Sequence, residues 1–318
     1  MIPETPIPFE AFMRRALHHP RLGYYSRRIS AVGRRGDFTT APMLSAAPAR
    51  TIARWAAAAL REIRTRHLIE IGPGEGTLAA AVINHLPLVL RLRVRLHLVE
   101  TSAPLTARQK ALLGNRATWH TSPEAALAAC DGRAVIYSNE LVDAFPVRRF
   151  RNTADGWKEL AVSKAPDGVI RESLMETDRL PDSSSLSASH PDGQTVEVHQ
   201  SYHRWLDSWL PHWQAGRMLT IDYGARADSL YHRRPNGTVR AYLLQQRLEG
   251  PDIYQNPGRQ DLTADVNFTD LLQHGESRFT GQTLRTFATF LGPEAPTELT
   301  DPLGPGNAFL VLDQSRNL

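Results

Sequence analysis

The fold of this chain is decided by the stretch HLIEIGPGEGTL, residues 67–78. Its first half is a short apolar run, its second half carries glycines at alternate positions (72, 74 and 76), and a helical pattern follows over residues 79–86. A buried parallel strand that leads into a glycine turn and then a helix is the first unit of a nucleotide-type α/β sheet. Glycines let the backbone pass close to a ligand, and the helix N-terminus presents N–H groups to an anion or a ribose. The stretch therefore predicts a doubly wound sheet with a ligand at this turn.

The spacing of the glycines separates two classes of cofactor. A dinucleotide-binding turn reads G-x-G-x-x-G, but Thr77 occupies the sixth position here and the third glycine, Gly76, comes one residue early. Because Glu70 stands just before the turn, the pattern E-x-G-x-G-x-G resembles motif I of class I S-adenosylmethionine (SAM)-dependent methyltransferases. The alternative from this segment alone is a tight strand-to-helix turn that binds no ligand.

Composition and charge are those of an ordinary globular protein. Of the 318 residues, 42% are hydrophobic and 22% charged, and no apolar run approaches the ~18 residues of a membrane span. A net charge of +4 is too small to indicate a nucleic-acid partner. Cys130 is the only cysteine, which excludes an internal disulfide and fits a reducing compartment. With no secretory signal in the first residues, we expect a cytoplasmic protein.

Four consecutive parts follow from the patterns along the chain. They are an N-terminal segment (1–47) with an amphipathic helix at 9–18, a Rossmann-like core (48–150) that contains the glycine turn, an inserted antiparallel region (151–195) with a flexible serine-rich loop at 180–193, and the rest of the core (196–318) with a second insertion at about 225–265. In the last part, periodicity predicts helices over 196–213 and 283–291 and strands over 217–222 and 308–312. Strands that alternate with helices in the core predict a parallel sheet, with ligands beyond the carboxyl ends of its strands.

Several separated stretches match one family of enzymes. They are PIPF (6–9), GYYS (23–26), GDFTTAP (36–42), the turn at 70–78, NELVDAFPV (139–147), IDYG (221–224) and residues 258–268. In this order and spacing they resemble the MidA family of SAM-dependent methyltransferases, which is related to a mitochondrial complex I assembly factor. The resemblance implies a class I methyltransferase core with an N-terminal segment over the cofactor and an inserted α+β substrate region. It also implies a protein substrate, because the mitochondrial member is associated with arginine dimethylation of a respiratory complex I subunit.

A SAM site needs a close backbone for the methionine part and a carboxylate for the ribose hydroxyls. We expect Gly72 and Gly74 to supply the first, and Glu100, which closes the second strand beside the turn, to bind the ribose. The alternative for Glu100 is an exposed acid at a strand end. Asp37 is able to accept a hydrogen bond from the ammonium group of the cofactor. The full set of expected cofactor-binding residues is Gly36, Asp37, Thr40, Glu70, Gly72, Gly74, Glu100 and Asn139.

Glu140 and Asp143 are the predicted catalytic residues. They follow the fourth strand of the core, and at i and i+3 of a helical turn their carboxylates would share one face. A guanidinium acceptor stays charged at neutral pH, so the carboxylates would orient it rather than simply deprotonate it. The alternative is that Asn139, Glu140 and Asp143 cap a helix and bind only the cofactor.

No metal site is predicted. His199 and His203 are spaced i and i+4, but no third ligand accompanies them, and we expect a satisfied helix surface. Trp205, Trp209 and Trp213 are expected to form a core or docking stripe.

Six residues depart from the pattern that the family resemblance implies. They are Met43, Glu75, Leu243, Gln245, Asp265 and Asn267. Glu75 reverses the charge that is usual beside the cofactor turn, and the others are expected mainly on the acceptor side. The acceptor could therefore be an O or N atom of a small molecule, or the chain could be an assembly factor that binds SAM with little catalysis.

Overall fold

The computed structural model describes residues 2–27, 45–301 and 304–317. Gly36, Asp37, Thr40 and Met43 lie outside the described residues. The strands are β1 (Ile7–Pro8), β2 (His67–Ile71), β3 (Arg95–Val99), β4 (Ala117–His120), β5 (Arg133–Asn139), β6 (Arg148–Thr153), β7 (Gly156–Lys164), β8 (Ile170–Met175), β9 (Thr195–Val198), β10 (Ala215–Ala225), β11 (Arg240–Leu243), β12 (Gln246–Leu248), β13 (Asp261–Thr263), β14 (Val266–Asn267), β15 (Gly281–Thr286) and β16 (Phe309–Arg316).

The helices connect these strands. The α-helices are α1 (Phe9–His18), α2 (Tyr24–Arg27), α3 (Ala47–Glu62), α4 (Thr77–His85), α5 (Leu88–Arg93), α6 (Ala103–Leu113), α7 (Pro123–Ala128), α8 (Ser184–Ser187), α9 (Gln200–Trp209), α10 (Ala227–Leu230), α11 (Phe268–Gly275), α12 (Phe287–Leu291), α13 (Thr297–Thr300) and α14 (Pro305–Ala308). Short 3₁₀ turns cover Gly114–Arg116, Val142–Ala144, Leu210–His212 and Gly250–Tyr254. No helix in the described part of the chain is both long and apolar enough to span a membrane.

The central sheet confirms the predicted α/β fold. Its strand order is β15-β16-β10-β5-β2-β3-β4, with β14 beside β10. The five strands from β10 to β4 pair in parallel, while β16 lies antiparallel between β10 and β15. The chain runs from β2 outward through β3 and β4 and then returns to β5 on the other side of β2. This reversal is the topological switch point at which α/β sheets bind ligands.

Two apolar layers cover the two faces of this sheet. The helices α3, α4 and α12 pack on one face, and α7, α9 and α11 pack on the other. Strands buried on both faces read as nearly continuous apolar runs, as residues 134–137 of β5 do. Trp209 and Trp213 are fully buried, and the Trp213 indole N–H donates to the Ala134 carbonyl at 3.0 Å. The prediction that these two tryptophans belong to the core is confirmed.

A second sheet contains the predicted antiparallel meander of β6, β7 and β8, together with β1 and β9. The prediction of a helix from residue 196 is wrong at its start, because residues 195–198 form β9. All four are buried, and β9 pairs with β6, so tertiary pairing overrides the helical pattern. The helix α9 begins only at Gln200.

The serine-rich segment is partly buried, which corrects the prediction of an exposed loop; its flexibility stays a prediction. Ser183 and Ser185 are buried around the short helix α8. The Ser183 hydroxyl donates to Asp270 at 2.6 Å, and the Asn267 amide donates to Ser185 at 2.8 Å. Side-chain partners from α11 and the residue before it therefore contact this segment.

The prediction of one helix over residues 283–291 is also wrong in part. Residues 281–286 form β15, which pairs with β16 along its whole length, and only Phe287–Leu291 is helical. The predicted strand at 217–222 is confirmed as part of β10, and the one at 308–312 is confirmed from Phe309 on as part of β16, because Ala308 ends α14. The strands β11, β12 and β13 form a small third sheet within residues 225–265, and α1 packs against it.

Candidate active site

A cavity of about 730 Å³ opens at the carboxyl ends of β2, β3 and β5, directly at the switch point of the sheet. Its wall includes the glycine turn after β2, the end of β3 and the turn after β5. Side chains from α1 and α9 complete it on the side away from the glycine turn. The volume is in the range of ligand sites in proteins. The structure thus brings the Glu70–Gly74 turn, Glu100, Asn139 and Glu140 to one cavity.

The glycine turn has the backbone that its sequence requires. Gly72, Gly74 and Gly76 have φ angles of +69°, +54° and +80°, which side-chain-bearing residues rarely adopt. A Cβ on Gly72 would lie 2.8 Å from Cδ1 of Leu141, whereas a Cβ on Gly74 meets no atom of the described residues within 4 Å. Because Gly74 lines the cavity, its side-chain direction is open to a ligand. The turn is a cradle that one methyl group would begin to fill, which fits a cofactor held against the backbone.

Glu100 lies in the cavity wall and is oriented by two neighbours. Its Oε1 accepts the backbone N–H of Ser102 at 2.7 Å, and its Oε2 accepts the side-chain amide of Gln109 at 3.3 Å. Burial raises the pKa of this carboxyl. Ser102 precedes α6 without capping it through its hydroxyl, which donates instead to the Tyr25 carbonyl at 2.9 Å. A half-buried carboxylate at the end of β3 is the group that a ribose hydroxyl requires.

Gln109 is a site residue that sequence reasoning missed. It is fully buried in α6, and its amide N–H₂ also donates to the carbonyl of Gly74 at 2.6 Å. Its carbonyl accepts the indole N–H of Trp119 at 3.0 Å. Gln109 therefore ties the glycine turn to Glu100. A glutamine inside a helix carries no signal of this role in the sequence.

Glu70 lies at the deep end of the cavity. It is 2% exposed, and its Oε2 accepts the hydroxyl of Tyr137 at 2.8 Å. Burial raises the pKa of Glu70 to about 8, against the smaller opposite effect of the Tyr137 hydrogen bond. The Glu70 side chain is therefore mainly neutral at pH 7, when it can donate as well as accept.

Asn139 and Glu140 end β5 at the rim of the cavity. The Asn139 amide donates to Glu140 Oε1 at 3.0 Å, and the backbone N–H of Glu140 donates to the Ile221 carbonyl at 2.9 Å. Glu140 has a φ of +52°, a left-handed conformation that is uncommon for a residue with a side chain. Such outliers occur where the surrounding structure imposes them, often at functional sites.

The helical turn expected through Glu140 and Asp143 is not formed, and this expectation is wrong. Asp143 lies in the 3₁₀ turn Val142–Ala144, is 4% exposed, and is absent from the described wall of the cavity. Its Oδ2 accepts the hydroxyls of Tyr223 and Thr263, the latter at 2.8 Å, and burial raises its pKa. The cause is the left-handed conformation of Glu140, which keeps the chain from running as one helix from Glu140 to Asp143. Asp143 thus connects the turn after β5 to Tyr223 of β10 and Thr263 of β13.

The remaining wall of the cavity includes aromatic and basic side chains. Phe145 and Trp205 pack with ring centroids 5.1 Å apart. Arg14 and Arg204 line the cavity and both pair with the buried carboxylate of Glu10, the Arg204 contact being 2.6 Å long. His18 of α1, Tyr25 and Ser201 also contribute to this wall. Sequence reasoning missed these residues, because α1 and α9 read as ordinary amphipathic helices.

Four of the departures from the family pattern lie elsewhere. Among the described residues that line the cavity, Leu243, Gln245, Asp265 and Asn267 do not occur. Leu243 and Gln245 belong to the β11–β12 hairpin region, while Asp265 forms ion pairs with Arg234 and Arg240. Asn267 caps α11 by accepting the N–H of Thr269 at 3.0 Å.

Glu75 is the departure that does line the cavity. Its Oε1 accepts a hydrogen bond from the Arg108 guanidinium at 2.9 Å. The reversed charge beside the cofactor turn is therefore matched by a basic residue of α6.

His199 and His203 do not form the helix surface that their spacing predicts. His199 precedes α9 and is 3% exposed, and burial lowers its pKa to about 4. His203 stacks on His274 with ring centroids 4.1 Å apart, and its Nε2 has no hydrogen-bond partner in the described part of the chain. Both imidazoles are neutral at pH 7, because burial disfavours the charged form.

Comparison with known proteins agrees with this geometry. Residues 51–285 match a family model described as "Putative S-adenosyl-L-methionine-dependent methyltransferase". The mitochondrial protein arginine methyltransferase NDUFAF7 homolog of Caenorhabditis elegans is 28% identical over 302 residues, covering 83% of this chain and 67% of the relative. The Danio rerio protein arginine methyltransferase NDUFAF7 is 28% identical over 305 residues, covering 85% and 69%.

A solved structure shows the same fold with a cofactor product bound. The crystal structure of a COG1565 superfamily member from Burkholderia thailandensis, bound to S-adenosylhomocysteine, has a TM-score of 0.85 to this chain. The two are 28% identical, and the match covers 98% of this chain and 88% of that chain. With the family match over residues 51–285, this chain belongs to the MidA family: it is a SAM-dependent methyltransferase, and SAM is its cofactor.

Proposed function

We propose that this enzyme methylates a guanidinium nitrogen of an arginine in a protein substrate. The observation that supports the proposal is the excess of carboxyl groups in the cavity wall. Five glutamates line it, namely Glu70, Glu75, Glu100, Glu124 and Glu140. Glu70 is mainly neutral, Glu75 pairs with Arg108 and Glu100 is expected to bind the ribose, so Glu124 and Glu140 are the carboxylates proposed to meet an acceptor. The basic residues of the wall, Arg14 and Arg204, are both paired with Glu10. A wall of this composition suits a cationic acceptor.

Glu140 is the residue proposed to contact the acceptor. It lies at the end of β5, where a methyl acceptor would approach the cofactor, and Asn139 holds one of its oxygens at 3.0 Å. SAM supplies an electrophilic methyl group on a sulfonium. Glu140 would accept hydrogen bonds from the N–H groups of the guanidinium and so direct one nitrogen toward the methyl group. The methyl group passes from the sulfonium to this nitrogen, and the proton that the nitrogen releases passes to solvent. Alignment of this kind can lower a barrier by roughly 7–11 kcal/mol.

The names of the relatives support the same acceptor. The worm and zebrafish proteins are both named protein arginine methyltransferases, at 28% identity to this chain. We propose by extension that the substrate is a protein, with a respiratory complex I subunit as the first candidate, and that the enzyme works in the cytoplasm.

A small-molecule acceptor is the second candidate. The observation in its favour is the aromatic wall formed by Phe145 and Trp205, against which a planar ring could pack. Such an acceptor would be methylated on oxygen or nitrogen by the same alignment.

The experiment that tests these proposals is labelling of a lysate from the source cells with tritiated SAM. Half of each sample is treated with protease, the labelled proteins are hydrolysed in acid, and complex I is captured separately from the same lysate. We expect protease-sensitive label that is recovered as methylated arginine. Label in low-mass compounds would support the second candidate. No label above background, from protein that binds SAM in calorimetry, would support an assembly factor with little catalysis.

A further inference from the structure

Three histidines form a hydrogen-bonded chain across the central sheet, outside the described wall of the cofactor cavity. His67 Nδ1 lies 3.0 Å from His97 Nε2, and His97 Nδ1 lies 3.0 Å from His120 Nε2. They come from β2, β3 and β4, and their rings point to the same face of the sheet as the buried Cys130. The ligand atoms of His67, His97 and Cys130 all lie within 4.8 Å of one another.

The group lies toward the amino ends of the strands. His67 is the first residue of β2, whereas the cavity opens beyond the last residue of that strand. Cys130 lies in the turn between α7 and β5, where Asp131 and Gly132 have φ angles of +49° and +69°. His97 and Cys130 are almost fully buried, and His67 is half-buried, so an ion could enter along His67.

We propose that His67, His97 and Cys130 bind one divalent transition-metal ion of the Zn²⁺ type. Two imidazoles and one thiolate form a ligand set that favours Zn²⁺. Mg²⁺ and Ca²⁺ are disfavoured here, because they take oxygen ligands. Binding replaces the His67–His97 hydrogen bond by two nitrogen–metal bonds and forms one sulfur–metal bond. The proton of that hydrogen bond moves, through solvent, to the other nitrogen of its own imidazole, so both rings stay neutral. The thiol proton of Cys130 passes to solvent, and a water molecule takes the fourth position.

His120 lies where it could orient the His97 imidazole as a metal ligand. Metal-binding histidines usually donate their second ring N–H to a neighbouring acceptor, and His120 Nε2 is 3.0 Å from the second nitrogen of His97. Some of the charges near the three ligands oppose the binding of a cation, and one favours it. Arg66 and Arg95 oppose a cation near His67, and Asp131 favours one near His67 and Cys130.

The ion would have a structural role. It would join the turn before β5 to β2 and β3, and these three strands also carry the cofactor turn, Glu100 and Asn139 at their other ends. Anything that binds the folded chain and not the unfolded chain stabilises it. Its effect should therefore be visible in thermal stability, independently of methyl transfer.

The test uses the full, untagged chain, freed of metal with a chelator and kept reduced. Co²⁺ alone is titrated in, and absorption is followed in the region of thiolate-to-cobalt charge transfer. We expect a band that saturates at one equivalent, disappears when Zn²⁺ displaces Co²⁺, and is accompanied by a higher Tm in Zn²⁺. Because Cys130 is the only cysteine of the chain, this band in the unmodified protein identifies the sulfur ligand without any variant.

Variants distinguish metal binding at this site from metal binding at other histidines of the chain. We expect Cys130→Ser to abolish the charge-transfer band. His120→Ala should weaken metal binding by about 10- to 100-fold while the band remains. His85→Ala, at an exposed position, should change neither the band nor the metal affinity. The absence of a charge-transfer band in the unmodified protein would overturn the proposal. A folded Cys130→Ser protein that binds the ion as tightly as the unmodified protein would also overturn it.

Discussion

The carboxylate of Asp222 accepts a hydrogen bond from the backbone N–H of Val142, with 2.8 Å between Oδ2 and the nitrogen. The same oxygen also receives the N–H groups on either side, at 3.1 and 3.4 Å. Asp222 is fully buried at the end region of β10, and the adjacent Ile221 carbonyl accepts the N–H of Glu140 at 2.9 Å. Two successive residues of β10 therefore hold the turn that places Glu140 in the cavity wall.

Asp222→Asn should reduce methyl transfer without preventing cofactor binding. An amide has one acceptor oxygen where the carboxyl group has two, so its N–H₂ group faces either the three N–H groups of residues 141–143 or the N–H of Tyr223. Because a displacement of about 1 Å in catalytic geometry can cost about 100-fold in rate, we expect a fall of that order in the labelling rate. The Kd for SAM, measured by calorimetry, should change far less, since Asp222 is not among the described residues of the wall. Asp228→Asn, at an exposed position of α10, serves as the control. An unchanged labelling rate in Asp222→Asn would show that β10 does not set the geometry of Glu140.

Gly74→Ala should weaken SAM binding by more than its backbone strain explains. A Cβ at this position projects into the cavity, because it meets no atom of the described residues and Gly74 lines the wall. Gly250→Ala is a matched control, since Gly250 has a φ of +56° against +54° for Gly74 and is equally open within the described chain. Both substitutions should cost about 1–2 kcal/mol of stability, the usual cost of a left-handed residue. Only Gly74→Ala, and more strongly Gly74→Val, should raise the Kd measured by calorimetry. Equal Kd values for the two alanine variants would argue against a cofactor at this turn.

The parts of the site that can be predicted from sequence are those that depend on neighbouring residues. The strand, glycine turn and helix at residues 67–86 follow from local periodicity and from the conformations that only glycine adopts readily. The position of Glu100 and Asn139 at the cavity follows as well, because the carboxyl ends of parallel strands meet at one edge of the sheet.

The features that cannot be predicted depend on distant parts of the chain. The spacing of Glu140 and Asp143 predicts a shared helical face, but Asp222, about 80 residues later, accepts the N–H groups that a helix would use. Residues 283–286 have a helical pattern and nevertheless form β15, because β16 offers an edge with which to pair. The pattern around Ser183 predicts an exposed loop, yet its partner Asp270 lies 87 residues away. In each case tertiary hydrogen bonds outweigh local preference.

Glu140→Gln should retain SAM binding and lose methyl transfer. Glutamine keeps the shape and the backbone strain at φ +52° but removes the charge that orients a guanidinium. Because a loss of alignment of about 1 Å can cost about 100-fold in rate, a fall of at least that order in the labelling rate is expected. Glu276→Gln, an exposed position just after α11, provides the control. Full turnover in Glu140→Gln would remove Glu140 from the catalytic residues and leave it a part of the cavity wall.

Glu70→Gln should change how the stability of the cofactor-free protein depends on pH. The pKa of Glu70 is raised from 4.5 to about 8 by burial, so between these values the folded chain keeps a proton that the unfolded chain releases. The stability that the neutral carboxyl contributes is complete below pH 4.5 and is lost as the pH rises toward 8, at about 1.4 kcal/mol per pH unit. Glutamine does not titrate, so the free energy of unfolding of Glu70→Gln should rise relative to that of the unmodified protein across this window and level off above it. Urea unfolding at pH 5, 6, 7, 8 and 9 measures the difference.

Tyr137→Phe should move the upper end of this pH window to higher pH, because the Tyr137 hydroxyl donates to Glu70 at 2.8 Å and stabilises the charged carboxylate. Parallel profiles for the unmodified protein and the Glu70→Gln variant from pH 5 to 9 would mean that Glu70 is ionised in the folded chain throughout.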